Sequence, residues 1–348
     1  MMRAGHISAI LWFLFLSIFF VTDLAAQSGG YAGSFTRMGF SPRGMAMGNA
    51  LTAVESEGIY GYYNPALAAK PTESIQIDLS TAALRFDRQL HMVSSHFRLP
   101  PSAGFSVSLI NATVSNIDGR TQSGYHTEYF STNEFQLTGN FALRFSEKIW
   151  GGIGLKYNFI NLHPEIPNSS SIGIDAGVLL HITSKLAMGV TIRDFLATQN
   201  LNTSNLYGIE TGDQSHRYPV RFHSALSYKL TESWLLSFDY EIRFQSEEMI
   251  RKISEDSSGF EPFRTIRENR SSNSQFMRMG TRYLIHDRIT LRGGIQYLQF
   301  EDEYIFQPSA GFSLHLPYDR FSPSIDYAFV REPSLRSAMH VFAIRMNI

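Results

Sequence analysis

The sequence predicts an all-β chain: a fourteen-stranded antiparallel transmembrane β-barrel of the outer-membrane type, preceded by a plug or hatch segment packed inside it. Three observations carry this. Hydrophobicity alternates with period two in fourteen segments between residues 73 and 348. The connections are short after every second segment, and the long ones (113–132, 162–170, 196–216 and 246–272) follow only the odd ones. Beyond the first 26 residues no run reaches eighteen consecutive apolar residues, so no helix spans a bilayer.

The chain opens with a secretory signal, residues 1–26. Arg3 supplies the positive charge, Ile7 to Val21 the apolar core, and Ala25 and Ala26 the small residues before a cut at Gln27. The core is shorter than the ~20 residues of a membrane-spanning helix, which sets it apart from an anchor. With no cysteine, the exported chain has no disulfide and no thiolate metal site. A formal net charge of −1 argues against nucleic acid as a partner.

Residues 27–72 do not alternate. They are rich in small residues, as in "RGMAMGNALTAV" and "GYYNPALAA". Residues 73–348 form the barrel, with strands expected near 73–85, 88–99, 102–112, 133–146, 148–161, 171–182, 185–195, 217–229, 233–245, 273–285, 288–300, 304–316, 320–331 and 337–348. The ninth is the clearest: Trp234, Leu236, Phe238, Tyr240, Ile242 and Phe244 on one face, Ser237, Asp239, Glu241 and Arg243 on the other. The second alternates poorly. A soluble β-sandwich would share the alternation but has no reason to sort loop length by parity. A membrane barrel does, with short periplasmic turns, long outer loops and an even strand count. That places both termini in the periplasm and the chain in the outer membrane of a Gram-negative bacterium, with membrane lipid around it. Aromatics near strand ends, among them Phe145, Trp150, Tyr157, Trp234, Phe244 and Phe329, fit an interfacial girdle.

The polar faces carry charges of both signs, which fits a salt-bridged interior better than a selective charged pore. Arg278, Arg282 and Arg292, with Asp239 and Glu241 nearby, form the least balanced cluster and the best candidate for an anion or carboxylate contact. "GGIGLKY" (Gly151–Tyr157) imitates a phosphate loop but lies inside a strand and opens no helix. No histidine spacing suits zinc and no G-x-S-x-G elbow occurs. The residues therefore predict no catalysis, cofactor or metal. The polar, charge-dense stretch Ser246 to Ser274 reads as a mobile surface loop, with a docking site for a partner as its functional alternative.

"SFTRMGFSPRGMAMGNALTAVESEGIYGYYNPALAAKP" (Ser34 to Pro71) resembles the block near the mature N-terminus of the PorV/PorQ family, outer-membrane barrels linked to type IX secretion. The matching positions are Arg43, Gly44, Met47, Gly48, Ala50, Thr52, Ala53, Glu55, Tyr63, Asn64, Pro65 and Ala66. The same Asn-Pro-Ala occurs in the related FadL-type transporters, whose N-terminal segment is a hatch inside a fourteen-stranded barrel. Glu55 and Glu57 stand where Asp is commoner, and the chain ends in Ile348 rather than an aromatic. The resemblance implies a non-enzymatic barrel that docks a secretion translocon or cargo protein. The alternative it implies is a FadL-like channel for hydrophobic molecules such as long-chain fatty acids, which would require a kink in the third strand (102–115) and an apolar lumen pocket. A general diffusion barrel is the third reading.

Overall fold

The structure is a computed structural model that describes residues 32–348, apart from 73–74, 122, 203–212, 254–263, 301–302, 317–321 and 333–336. The predicted signal segment and residues 27–31 lie outside the described residues. The strands are β1 (Gln76–Ala83), β2 (Arg88–Leu99), β3 (Ala103–Arg120), β4 (His126–Arg144), β5 (Ile149–Asn161), β6 (Ser169–His181), β7 (Leu186–Phe195), β8 (Thr198–Asn202), β9 (Asp213–Arg217), β10 (Val220–Lys229), β11 (Trp234–Ile253), β12 (Arg264–His286), β13 (Ile289–Phe300), β14 (Glu303–His315), β15 (Ser324–Arg331) and β16 (Ala338–Asn347). All but β8 and β9 close into one fourteen-stranded antiparallel barrel, sealed where β1 pairs with β16 from Gln76↔Asn347 to Ala83↔His340. Closure leaves no unpaired edge, the condition for a sheet to sit in lipid.

The barrel is inverted relative to a soluble protein. Leu79, Val93, Leu109, Leu137, Ile153 and Ile344 are exposed on the outside, while Asp78, Lys156, Asp175, Arg221, Asp239 and Arg278 are buried within. The period-two pattern produces this, because successive side chains point to opposite faces. Phe145, Tyr157, Trp234, Phe244 and Phe329 face outward as the girdle reading expects. Trp150 does not: it is buried in the lumen, its ring 4.9 Å from that of His181. It occupies an even, inward position of β5, so strand parity outranks its aromatic character.

Two of the expected long loops are strand. β3 and β4 stay paired as far as Arg120↔His126, and β11 and β12 as far as Ile253↔Arg264. Segments 113–132 and 246–272 are therefore largely hairpin ribbons that outrun the neighbouring strands. The amphipathic signal fades there because a ribbon beyond the wall has no lipid face to distinguish. The 196–216 connection holds the small separate sheet β8–β9, whose Gln199 is buried.

The kink that the FadL-like alternative would require in the third strand is absent from residues 103–114, which pair without a break to β2 and to β4. The first register shift lies further on, between Val114 and Ile117. A bend occurs instead in β7, where Asp194 and Leu196 have positive φ (60° and 63°) and the pairing with β6 shifts between Ile174 and Ala176.

Inside lies the N-terminal segment. Met45, Ala46, Met47, Asn64, Ala66 and Ala68 have essentially no accessible surface. Wall glycines give it room. A Cβ added at Gly104 (β3) would fall 1.7 Å from the Ala68 carbonyl oxygen, at Gly152 (β5) 2.5 Å from the Pro65 carbonyl carbon, and at Gly294 (β13) 2.1 Å from the Gly48 nitrogen. Gly152 belongs to the run that imitates a phosphate loop; its use here is clearance. Gly104→Val is expected to expel the segment while sparing the barrel. Limited proteolysis should then cut within residues 32–72, with the heat-modifiable gel mobility of a closed barrel retained.

Candidate functional site

The internal segment is built from short turns, each stopped by a residue suited to stopping it. Pro42 starts a one-turn helix, Pro42–Ala46, from the extended Ser41. A second turn, Tyr60–Tyr63, ends at Asn64, whose backbone is extended (φ −152°, ψ 118°) as the residue before proline prefers. Pro65 then opens a 3₁₀ turn, Pro65–Ala69, capped by Asn64 Oδ1 accepting from the Ala66 N–H at 3.0 Å. Asn64 Nδ2 donates to the carbonyls of Thr52 (2.9 Å) and Val178 (3.2 Å). Asn64 therefore joins two parts of the segment to β6, and a Cβ at Gly177 would lie 2.1 Å from its Oδ1.

The other motif residues pack around this core. Tyr63 donates its hydroxyl to Asn49 Oδ1 at 2.8 Å, and a Cβ at Gly44 would lie 1.9 Å from that hydroxyl. Gly48 takes φ +61° against the backbone of Ile295. Ala66 is fully buried.

Charge fixes the segment to the wall. Arg43 donates to Asp326 (2.9 Å) and Ser324 (2.7 Å). Glu57 accepts from Arg292 at 2.6 Å with Arg282 at 3.9 Å, and its carbonyl accepts from Arg345 at 2.8 Å. Glu55 meets His181 at 2.7 Å. Burial pushes the Glu57 carboxyl up, but the guanidiniums of Arg292, Arg43 and Arg282 outweigh it and hold the group at about 2.

The predicted polar cluster is divided by these contacts. Arg282 and Arg292 face Glu57 of the segment. Arg278 ion-pairs with Glu241 and lies 3.7 Å from Asp239, which also holds His223 at 3.0 Å, while Glu241 also pairs with Arg243. The carboxylate that Arg282 and Arg292 meet is thus the chain's own. Sequence reading missed Glu57 as their partner because 225 or more residues separate it from them. A third network joins Lys156 to Asp175 and Asp194 (both 2.7 Å) and Arg221 to Asp194 (2.5 Å). Asp194 is the bent residue of β7, so this network holds the bend.

The lumen also changes character along the barrel axis. The strands that flank the β1–β16 seam are polar at the end where β1 begins and β16 finishes, and apolar at the opposite end. Inward residues run Gln76, Asp78, Ser80, Ala82 in β1; His96, Ser94, Met92, Leu90 in β2; Ser106, Ser108, Ile110 in β3; Ser324, Asp326, Ala328, Val330 in β15; and Arg345, Ala343, Val341, Met339 in β16. The apolar ends form one cluster with Phe35, Phe40 and Met45 of the internal segment. This explains the poor alternation of the second strand. Leu90 and Met92 point inward beside the outward Gln89 and His91, while Ser94 and His96 point inward beside the outward Val93 and Phe97, so the apolar side switches from lumen to lipid along the strand.

No family profile matches the sequence, and no curated protein matches it. Solved structures do match in shape. The chain is similar to the CymD monoaromatic hydrocarbon channel (TM-score 0.60, 14% identity, 89% of this chain and 97% of that one). It is also similar to the Pseudomonas putida toluene transporter TodX (0.58, 12%, 94% and 98%) and to a Pseudomonas aeruginosa FadL homologue (0.57, 11%, 89% and 98%). The fold is that of the FadL-type outer-membrane barrels. At this identity the likeness establishes the fold and leaves the PorV/PorQ resemblance resting on residues 34–71 alone.

Glu57→Leu removes one partner of a buried pair and leaves Arg292 uncompensated, so it should cost about 3–5 kcal/mol of segment docking, read as easier proteolysis of residues 32–72. Protonation should act the same way. The folded pKa lies below the ordinary 4.5, so the Glu57 contribution is complete above about pH 5 and is lost as pH falls from 4.5 through about 2. Wild type should show increasing proteolysis across that window with an acid-tolerant protease, and Glu57→Leu should show none of the increase due to this carboxyl.

Proposed function

We propose that this chain is an outer-membrane channel for small hydrophobic molecules, closed by residues 27–72 acting as a plug, with the start of β1 and the end of β16 on the periplasmic side and the apolar end of the lumen facing outward. The observation that carries the proposal is the axial gradient of the lumen. A polar-lined diffusion pore has no use for Leu90, Met92, Ile110, Val330, Met339 and Val341 turned inward, since each gives up burial against lipid or protein elsewhere. A neutral apolar solute gains from such a surface. The three similar structures are named as a monoaromatic hydrocarbon channel, a toluene transporter and a FadL homologue, which supports the same class of solute. Phe35 and Phe40 of the plug cover the patch, so passage requires them to yield.

The PorV/PorQ resemblance supports a second reading, docking of a secretion partner. All its motif residues but the half-buried Glu55 are buried within the barrel; the ribbons of β3–β4 and β11–β12 would have to provide the surface.

Cells lacking their own hydrocarbon channels and expressing the chain should accumulate labelled toluene faster than controls. Met92→Ser or Val341→Thr should cut that gain about tenfold, the effect of losing roughly 1.4 kcal/mol of apolar contact, with barrel level and heat-modifiability unchanged. Equal accumulation with and without the chain rejects the channel reading. Recovery of a secretion component from detergent-solubilised membranes would then favour the second.

A further inference from the structure

At the end of β7 the chain leaves the wall and turns into the lumen. Phe195 and Leu196 are exposed, whereas Ala197, Gln199 and Tyr218 are buried. They are covered by the inner face of β6, where Ser169, Ser171 and Gly173 point inward between the exposed Ser170, Ile172 and Ile174. A Cβ added at Gly173 would lie 3.1 Å from the Ala197 Cβ. The Ser169 hydroxyl donates to the Asn200 carbonyl, and the Gln199 amide donates to Ser169 Oγ. At the base of the excursion the Tyr218 N–H donates to the Ala197 carbonyl at 2.9 Å. The pair β8–β9 is thus a strap lying against the inside of the barrel.

The turn that sends it inward is strained and held. Asp194 and Leu196 are left-handed, with φ of 60° and 63°. Residues with a side chain keep that conformation where their surroundings fix it. Here the Asp194 N–H donates to Asp175 Oδ1 at 2.8 Å, and its carboxylate accepts from Lys156 at 2.7 Å and from Arg221 Nε at 2.8 Å.

The strap meets the internal segment at Gly33. A Cβ at Gly33 would lie 2.1 Å from the Tyr218 ring, and its φ is +64°, so ring and glycine backbone are in direct contact. Gly33 opens the 3₁₀ turn Ser34–Arg37 and is tied to it by Thr36, whose N–H (3.1 Å) and hydroxyl (2.8 Å) donate to the Gly33 carbonyl. On the other side the Thr36 carbonyl accepts from the Tyr62 hydroxyl at 2.7 Å. Phe35 lies between these two tyrosine contacts and packs in the apolar cluster. Tyr62 belongs to the segment and moves with it; Tyr218 belongs to the wall.

We propose that Tyr218 is a positioning residue of the gate: the β8–β9 strap seats the Ser34–Arg37 turn and so keeps the Phe35 ring over the apolar patch. Displacing the strap frees Phe35 without breaking the ion pairs of Arg43 or Glu57. The effect on solute rests on the channel reading; the effect on the segment rests on the contacts alone.

Two readouts on the full chain separate these. Tyr218→Ala should speed tryptic cleavage after Arg37 about tenfold or more, with cleavage after Arg43 and heat-modifiable mobility unchanged. It should also raise toluene accumulation above wild type, whereas a misfolded barrel lowers it. Tyr218→Phe should match wild type in both, because the ring and not the hydroxyl meets Gly33. The chain has no cysteine, so Gly173→Cys with Ala197→Cys introduces one cross-link at close to disulfide spacing. Oxidation pins the strap, and the oxidised chain should be cleaved more slowly after Arg37, and accumulate less toluene, than the same chain reduced. Unchanged cleavage after Arg37 in Tyr218→Ala, or equal cleavage of the oxidised and reduced chain, overturns the proposal. Altered cleavage with no toluene accumulation by any variant supports the seat and rejects the channel reading instead. If Tyr218→Ala does not fold, the comparison of oxidised with reduced chain decides.

Discussion

The interior of this barrel depends on pairing buried charge. Lipid claims the apolar face of every strand, so the opposite faces converge on a space too narrow to be filled with water around each group. A lone ion in such a place is worth several kcal/mol of instability, and a pair with good geometry removes that cost without adding much. The wall meets part of the demand by itself, through Lys156 with Asp175 and Asp194, and through Asp239 and Glu241 with His223, Arg243 and Arg278. The rest it cannot meet. Among the described residues, Asp326 and Arg292 have their ion-pair partners in Arg43 and Glu57 of the internal segment. Wall and segment are in this sense one folding unit, each leaving charges that the other completes.

Close approach is the second half of that arrangement. Ion pairs at 2.6–2.9 Å fix the segment only if its backbone can reach the wall. The glycines of β3, β5, β6 and β13 permit this where they stand opposite Ala68, Pro65, Asn64 and Gly48. The fit is mutual: small residues on the segment, missing side chains on the wall. Apolar packing also holds the segment, but its charged contacts are the part that ionic conditions and single charges can shift, while the hydrogen-bonded barrel around it stays intact.

The apolar end of the lumen gives this arrangement a direction. Polar and charged contacts hold the segment at the terminal end of the barrel, whereas Phe35 and Phe40 rest on an apolar surface at the other. A hydrophobic solute competes with those two rings and with nothing that is charged. The same division separates the apolar patch from the Arg43 and Glu57 anchors, so admission of a solute and anchoring of the segment are tasks of different residues.

Much of this was legible in the chain. Period-two alternation located all fourteen barrel strands, because the two faces of each meet solvents as different as lipid and a polar lumen. The mixture of small residues before residue 73, and Asn64-Pro65 within it, marked a compact turn-rich segment. Where the solvent contrast disappears, so does the signal. The ribbons beyond the wall read as loops, and β2, whose apolar side switches from lumen to lipid along its length, read as irregular. Trp150 read as girdle because aromatic character is local, whereas the face it occupies is set by register. Only the tertiary structure decided which charges meet. Glu57 and Arg292, or Arg43 and Asp326, are brought together by closure of the sheet around the segment, and no local pattern records a contact across 235 or 283 residues. Sequence determined the solvent each face would see; packing inside the closed barrel determined the partners, because that is where desolvation leaves a charge no alternative.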